Sequence, residues 1–285
     1  MKTMASRKSR GGYGLSLLLR ILVWAAGMIT LGIFCCLLGY MLIKGLPHLS
    51  WDLFSPLYTS ENVSLFPALI NTVTMTLFSL LLAVPVGILS AVYLVEYAKR
   101  GNKLVKAVGI AAETLSGIPS IVYGLFGMLF FVTTLKWGYS LIAGAFTLGI
   151  MILPLIMRTT EEALRSVPDS YREGSFGLGA GKLRTVFRIV VPAAMPGIVS
   201  GVILAIGRIV GETAALIYTA GRVAAIPEGM FSSGRTLAVH MYALYSEGLH
   251  MDKGYATGVV LIFLVVLINC AASLIAKFIG RGGRA

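Results

Sequence analysis

The amino-acid sequence predicts an all-α membrane protein with six transmembrane helices. Of its 285 residues, 57% are hydrophobic and 13% are charged, whereas soluble domains carry about 25% charged residues. Six apolar windows approach or exceed the roughly 20 residues that a helix needs to cross a bilayer. These windows are residues 21–43, 67–95, 107–133, 138–157, 197–220 and 256–278. We expect one helical domain over residues 21–278, because a helix bundle in a bilayer is a single folding unit.

The first window is longer than the apolar part of a secretory signal peptide. It follows a basic tail, residues 1–20, and runs from Ile21 to Ile43, whereas the apolar region of a signal peptide covers about 7–15 residues. We expect it to be retained as the first transmembrane helix. The second and third windows contain Pro85 and Pro119, which predict kinks because proline interrupts the helical hydrogen bonds.

Lysine and arginine are unevenly divided between the two ends of the predicted helices. Eighteen of the 24 lie in the N-terminal tail, the loop after the second helix, residues 158–196, or the C-terminal end from Lys277 onward, which includes the basic tail of residues 279–285. Positive residues favour the cytoplasmic side, so both termini and residues 158–196 are expected in the cytoplasm and residues 221–255 outside. The net charge of +12 is interpreted as this topology signal and as lipid contact, and no nucleic-acid partner is expected.

The residues that commonly form disulfide or metal sites are dispersed. The cysteines lie within apolar windows and the histidines outside the cytoplasm, at Cys35, Cys36, Cys270, His48, His240 and His250. Their spacing matches no disulfide framework and no metal-ligand set. We therefore expect no metal and no cofactor in this chain.

Residues 158–196, hereafter the coupling segment, form a polar stretch between the fourth and fifth windows. Lipid cannot satisfy its charges and backbone groups, so it must meet water or a protein. The fourth helix is expected to continue through Arg165 and to end near Pro168. Residues 170–173 read as a capping box and predict a short helix after this proline.

Glycines are expected to end this short helix. They are Gly177, Gly179 and Gly181. Residues 182–191 predict a second short helix, after which Pro192 and Pro196 are expected to redirect the chain into the fifth transmembrane helix. The glycines do not form an ATP-binding P-loop, because Leu183 stands where that motif requires serine or threonine.

Two charged residues lie within the fifth window. Arg208 and Glu212 are four residues apart, so on a continuous helix they share one face and can pair. A charge at the bilayer centre costs about 2.5–3.5 kcal/mol on insertion scales. One interpretation is a structural ion pair. The other is an anion site, in which the arginine binds a tetrahedral oxyanion and the glutamate holds the arginine while the pathway is empty.

Two Gly-x3-Gly pairs also lie on the fifth helix, at residues 197/201 and 207/211. With 33 glycines in the chain such pairs arise by chance, so the spacing is not evidence by itself. Helix packing is the favoured interpretation, and pore lining is the alternative.

The third window begins with an acidic residue near the cytoplasmic face. Glu113 is interpreted either as a solvated residue near lysines or as part of a gate at Pro119. Ser120 and Tyr123 follow the predicted kink and are candidates to line a pathway. Outside the membrane, residues 235–244 predict an amphipathic helix.

The coupling segment resembles the "EAA" loop of ABC importer permeases, E-A-A-x3-G-x9-I-x-L-P. The matching positions are Glu173, Gly174, Ser175, Gly179, Ile189, Val191 and Pro192, with departures at Gly174, Ser175 and Val191. The resemblance implies a type I ABC importer permease fold without catalytic activity. It further implies that this loop, including Phe176, docks onto a separate cytoplasmic ATPase.

Residues 113–127 and 207–216 resemble the membrane subunits of the bacterial high-affinity phosphate importer, most closely the PstA type. The resemblance covers most of residues 67–278. It implies phosphate as substrate, with Arg208, Glu212 and Thr213 in its pathway. It also implies a heterodimer with a sister permease, a cytoplasmic ATPase dimer and a periplasmic phosphate-binding protein, which would dock on residues 235–244, all at the bacterial inner membrane.

Two alternatives remain open at this point. Sulfate and molybdate permeases have a similar Arg-x2-Gly-Glu pattern, with phenylalanine where Thr213 stands. An ion-coupled secondary carrier, in which Glu113, Arg208 and Glu212 relay protons, belongs to a different class. A carrier has no need of an ATPase-docking loop, so the coupling segment argues against it.

Overall fold

In the computed structural model, residues 11–99 and 101–282 are described, and every regular element among them is a helix. The α-helices are α1 (Gly11–Gly45), α2 (Phe66–Val92), α3 (Lys103–Ser116), α4 (Ser120–Gly127), α5 (Leu141–Arg165), α6 (Asp169–Gly177), α7 (Lys182–Thr185), α8 (Val191–Val210), α9 (Ala214–Ile217), α10 (Leu237–Glu247) and α11 (Met251–Gly282). Short 3-10 turns cover Leu46–His48 and Trp51–Phe54, and π-helical turns cover Tyr93–Tyr97, Met128–Thr134 and Val186–Val190. The basic tails predicted at 1–20 and 279–285 lie partly outside the described residues.

Five helical stretches are long and apolar enough to cross a membrane. They are Leu15–His48, Phe66–Tyr97, Leu141–Arg165, Lys182–Val210 and Met251–Leu274. A sixth candidate, Val105–Ser116 with Ser120–Thr134, meets the same criterion as a pair bent by 103°. With the bent pair counted as one span, the six predicted spans are confirmed for the described part of the chain.

Helix α5 lies at the centre of the bundle, with 67% of its apolar window buried. Helices α2 and α8 approach it closely through glycines. A Cβ atom on Gly87 would lie 2.8 Å from Ile156 Cγ2, and one on Gly197 would lie 2.6 Å from the Cβ of Ala163. Glycine is the residue that permits such backbone contact between membrane helices.

The kink predicted at Pro119 is present, and it is a full break between two helices. Helix α3 ends at Ser116 and α4 begins at Ser120, with a bend of 103° between them. Proline cannot donate the backbone hydrogen bond that would continue α3. A hydrogen bond between the two helices stabilises the bend, since the Tyr123 hydroxyl donates to the Leu115 carbonyl at 2.8 Å.

The expected redirection at Pro192 and Pro196 is wrong, because the helix runs without interruption from Lys182 to Val210. The π-helical turn just before Pro192 explains this. There the Val191 amide donates to the Val186 carbonyl, five residues back. The extra residue per turn makes room for the proline ring, and membrane helices tolerate proline where such local adjustments satisfy the backbone.

The fifth span ends at Val210 and not at residue 220, which is a second correction to the predicted bounds. After the short helix α9 the chain turns back and covers the N-terminal end of α5. The Ser140 amide donates to the Thr219 carbonyl at 3.0 Å, and the Leu141 amide donates to the Ser232 carbonyl at 3.0 Å. The loop before α10 and the coupling segment therefore lie at opposite ends of α5.

Candidate functional site

The break after α8 places Arg208 and Glu212 in different surroundings. Helix α8 ends between them at Val210, so they do not share a helix face and the expected i, i+4 pair is wrong. The Glu212 carboxylate instead accepts a hydrogen bond from the Ala215 amide at 3.0 Å. Glu212 is 8% exposed and precedes the N-cap residue of α9, Thr213. Its carboxylate caps the first turn of α9 by satisfying an amide that has no partner within so short a helix.

Arg208 is half-buried and has no carboxylate partner. All twelve aspartates and glutamates of the chain lie within the described residues, and none is within ion-pair distance of it. Its charge is close enough to the Tyr123 hydroxyl to interact with it electrostatically. A guanidinium offers five N–H donors and no acceptor, so a half-buried one without a carboxylate partner is suited to bind an anion.

Helices α4 and α9, which lie next to the other predicted pathway residues, are in contact with each other. A Cβ atom on Gly124 would lie 2.8 Å from the Ala215 Cα, so the two backbones are in contact. Ser120 begins α4, and Thr213 precedes α9; both are half-buried. The α4–α9 contact and the Tyr123–Arg208 interaction bring the two breaks close to each other, and the role of Ser120, Tyr123, Arg208, Glu212 and Thr213 in a pathway stays a prediction. Tyr123 is buried and its hydroxyl donates to Leu115, so it supports the bend.

The two glycine pairs of α8 have different surroundings. Gly197 and Gly201 contact Ala163 and Thr159 of α5, so the first pair serves helix packing. A Cβ atom added to Gly207 would meet no atom within 4 Å, and one added to Gly211 would meet only the Gly207 carbonyl. The second pair, on either side of Arg208, therefore faces open space.

Glu113 forms an ion pair with Arg158 at 3.2 Å. Its partner is thus an arginine at the end of the fourth span and not one of the nearby lysines. The glutamate side chain is 75% exposed, and exposed ion pairs contribute little to stability. The pair connects α3 to α5 beside the break at Pro119, the position proposed for a gate.

The coupling segment folds as a helix, a glycine turn and a second helix. Helix α6 begins at Asp169 with Pro168 at its N-cap and no side-chain cap, so the expected capping box over residues 170–173 is wrong. Gly179 has φ +81°, a conformation that glycine adopts without steric cost. Inside the turn, Ser175 and Thr185 share a hydrogen bond of 2.8 Å between their hydroxyls.

The outer surface of this segment carries several large apolar side chains among charged ones. The exposed side chains are Tyr171, Phe176, Leu178, Leu183 and Phe187, of which Leu178 is 92% exposed. Beside them lies an open hollow of about 480 Å³, lined by Gly179, Arg184 and Ile189 among others. Glu173 and Gly174 are also exposed. Exposed apolar side chains grouped on a polar segment mark a protein interface.

The sequence did not single out Glu96, which ties the coupling segment to the second span. Arg172 of α6 donates to the Glu96 carboxylate, with a shortest distance of 2.6 Å, and both side chains are largely buried. Hydrogen bonding to Glu96 raises the pKa of Arg172 above its ordinary value. A second link is the Lys182 ammonium, 5.0 Å from the centre of the Tyr97 ring. In the sequence, Glu96 is distinguished only as a single acidic residue ahead of the basic loop that follows the second helix.

The predicted outer helix exists as α10, Leu237–Glu247, but it is not a half-exposed amphipathic helix. Four consecutive residues at its start are buried, and His240 is completely so. Burial, together with the nearby Arg235 charge, lowers the pKa of His240 to about 3. Tyr58 contacts both residues: its ring is edge-on to His240 and lies under the Arg235 guanidinium.

Within the described residues, no group of three His, Cys, Asp or Glu side chains could hold a metal ion. The arrangement around Arg208 contains a cation and hydroxyls beside a capped helix break. Such a site can attract and release an anion. The arrangement in the coupling segment can receive a protein partner, and helices α5 and α8 connect the two sites.

Known proteins have similar sequences, and solved structures have a similar fold. Residues 83–284 match the family described as "Binding-protein-dependent transport system inner membrane component". The chain is similar to the "Probable ABC transporter permease protein YqgI" of Bacillus subtilis (strain 168), with 35% identity over 254 residues, covering 83% of this chain and 86% of that protein. It is also similar to the "Phosphate transport system permease protein PstA 1" of Mycobacterium tuberculosis (strain CDC 1551 / Oshkosh), with 38% identity over 213 residues, covering 74% and 69%.

Among solved structures, the fold is similar to a chain of a bacterial alginate ABC transporter in complex with an alginate pentasaccharide-bound periplasmic protein. The TM-score is 0.64 at 18% identity, and the match covers 95% of this chain and 96% of that chain.

Proposed function

This chain belongs to the family of binding-protein-dependent transport system inner membrane components, and we propose that the substrate it conducts is phosphate. As an ABC importer permease it is a non-catalytic, multi-pass membrane subunit. Its partners are a separate ATPase and a substrate-binding protein. The proposal of phosphate draws support from relatives named as phosphate transport permeases and from the chemistry around Arg208.

The observation that carries the proposal is the half-buried Arg208 without a carboxylate partner, beside the break that ends α8. A phosphate oxyanion supplies the negative charge that this guanidinium lacks, and its oxygens match the planar donor geometry. The half-buried hydroxyls of Ser120 and Thr213 add donors at the same break. Binding there is expected to be weak, since a conducted anion must leave as readily as it enters.

Glu212 and Glu113 have supporting roles in this proposal. Glu212 caps α9 and so fixes the break that exposes Arg208. Its negative charge also disfavours a second anion near the first. The Glu113–Arg158 pair links α3 to α5 beside the bend at Pro119, where we place a gate that opens when the coupling segment moves.

In this proposal, conformational changes of the ATPase are transmitted to the permease through the coupling segment. We place the exposed apolar side chains of α6 and its glycine turn in a groove of the ATPase. Ile189 and Pro192 belong to the continuous helix Lys182–Val210, which ends two residues beyond Arg208. A displacement of α6 therefore reaches the anion site along one helix. A sister permease of the same fold supplies the other half of the pathway, and the phosphate-binding protein docks at the end that carries α10.

Uptake of labelled phosphate into proteoliposomes tests the proposal. The complex with both permeases, the ATPase and the binding protein is reconstituted, and Arg208→Gln is compared with Arg20→Gln, which changes an exposed arginine near the start of α1. Loss of the guanidinium is expected to lower uptake at least about tenfold, as for other truncated charge partners, while the complex still assembles. The control is expected to transport normally.

Three results would contradict the proposal. Normal phosphate uptake by Arg208→Gln would exclude an anion site at this residue. Inhibition of phosphate uptake by equal concentrations of sulfate or molybdate would show that the site does not select phosphate over those oxyanions. Uptake by this chain alone under an ion gradient, without the ATPase, would contradict its function as an importer subunit.

A further inference from the structure

A groove and a polar pocket adjoin each other at the N-terminal end of α11, far from the coupling segment. The groove has a volume of about 660 Å³ and lies between the 3-10 turns after α1, the start of α2 and α11. Its walls are apolar, with Phe54, Val260, Phe263 and Leu267 among them. The pocket has a volume of about 370 Å³ and is lined by histidine, aspartate and lysine side chains. Ser50 lines both.

The groove and the pocket are arranged along the axis of α11. Lys253 lines the pocket, and the groove extends from Val259 to Leu267. At 1.5 Å per residue the groove covers about 12 Å of helix, close to the ~15 Å depth of one hydrocarbon leaflet. The polar pocket thus lies at the depth of lipid headgroups when the groove lies at the depth of acyl chains.

The face that carries the groove is open to its surroundings. Trp51 is 92% exposed and Phe263 is 66% exposed, although both line the groove. Tryptophan is enriched where the hydrocarbon meets the headgroups, and Trp51 lies at the boundary between the apolar and the polar part.

The pocket contains one full charge of each sign. The Lys253 ammonium donates to the carbonyls of Glu61, at 2.5 Å, and Asn62, at 3.1 Å, which leaves one of its three protons for a further acceptor. The Asp252 side chain is 70% exposed, and its oxygen is 3.8 Å from the His48 Nε2. An adjacent cation and anion fit a headgroup that itself carries a phosphate and an ammonium group.

We propose that the groove and the pocket together bind one phospholipid with an ethanolamine headgroup. One acyl chain lies in the groove, the phosphodiester accepts a hydrogen bond from Lys253, and the ammonium group pairs with Asp252. The apolar groove alone would accept any acyl chain, so the pocket gives the selectivity. This inference is independent of the substrate that the chain transports.

The test is native mass spectrometry of the intact importer complex with full-length chain, titrated with dioleoylphosphatidylethanolamine or dioleoylphosphatidylglycerol. The wild type is expected to retain one phosphatidylethanolamine per copy and to retain it in preference to phosphatidylglycerol. Lys253→Gln is expected to weaken retention about fivefold, the effect of one basic residue near a headgroup. Its control is Lys44→Gln, an exposed lysine that lines neither the groove nor the pocket.

A second pair of variants tests the groove independently of charge. Ser50→Trp fills the junction, whereas Ser60→Trp alters an exposed serine that lines neither space. Retention is expected to fall in the first and to stay unchanged in the second. Equal retention of both lipids, or unchanged retention in Lys253→Gln and Ser50→Trp, would overturn the proposal. Displacement of the lipid by millimolar inorganic phosphate would also overturn it, because the pocket would then be a site for free phosphate.

Discussion

His240 shows how the fold controls the charge of a single residue. It is completely buried at the start of α10, and the neighbouring cation Arg235 lies over the Tyr58 ring at 4.9 Å. Burial and this neighbouring charge together lower the pKa of His240 to about 3. The side chain is therefore neutral in the folded protein at neutral pH and over most of the acid range.

The lowered pKa predicts loss of stability in acid. In the unfolded chain His240 takes up a proton as the pH falls through about 6.5, whereas the folded protein does not take it up until about pH 3. Between these values the free energy of unfolding should fall by up to about 1.4 kcal/mol per pH unit. Above pH 6.5 the residue should cause no pH dependence. Thermal unfolding in detergent at pH 7 and pH 4.5 measures the effect.

The variant His240→Phe keeps the ring beside Tyr58 and removes the titration. It is expected to lose less stability between pH 7 and pH 4.5 than the wild type. The matched control is His250→Phe, which changes a half-exposed histidine outside this cluster and should leave the acid profile unchanged. An identical acid profile in His240→Phe and the wild type would show that His240 does not cause the acid sensitivity.

At the scale of elements, α8 has a packed end and an open end. Gly197 and Gly201 lie in contact with α5, whereas Gly207 has open space around it. The difference cannot be read from the sequence, where the two Gly-x3-Gly pairs have the same spacing on the same helix. The packed end fixes α8 to the central helix, and the open end gives room around Arg208.

This difference predicts opposite effects for two alanine substitutions. Gly201→Ala places a methyl group against the Thr159 side chain and should destabilise the protein by about 1–3 kcal/mol, the usual cost of overpacking. Gly207→Ala meets nothing and should be neutral or stabilising by up to about 1 kcal/mol, because alanine favours the helix. Thermal unfolding of both variants in detergent distinguishes them, and equal midpoints would contradict the packing difference.

Sequence reasoning predicted the elements better than their ends. Hydropathy predicted six spans, and glycine and proline predicted the ends of α5 and α6. Hydropathy could not detect the end of α8 at Val210, because the apolar run continues through α9. That break depends on Glu212 capping α9 and on the contact between Gly124 and Ala215, which are tertiary features. The 103° bend similarly depends on the contact between Tyr123 and Leu115.

At the scale of the whole molecule, candidate site residues could be predicted where the signal lies within a short stretch of sequence. Arg208 stood out as a charge within an apolar window, and Glu173 to Pro192 stood out by their spacing. The pairing of Arg208 with Glu212 was predicted wrongly because it assumed a continuous helix. Glu96 was missed because its partner, Arg172, is distant in sequence, and no single-chain pattern relates the two.

The exposed apolar side chains of the coupling segment predict that a substitution among them impairs assembly with the ATPase and leaves folding unchanged. Leu178 is 92% exposed, so Leu178→Asp should leave the stability of the isolated chain unchanged. Copurification with the ATPase should fall at least about tenfold, as for a central interface residue. Leu57→Asp, at a 76% exposed leucine outside the coupling segment, is the control and should copurify normally. Normal copurification of Leu178→Asp would contradict docking through this residue.

The Arg172–Glu96 contact has a mechanical consequence. Helix α6 is joined by the chain to α5 on one side and to the helix that includes α8 on the other. The 2.6 Å ion pair to Glu96 and the Lys182–Tyr97 contact add connections to the end of the second span, so α6 is linked to three spans. A displacement of α6 is therefore expected to act on three spans together.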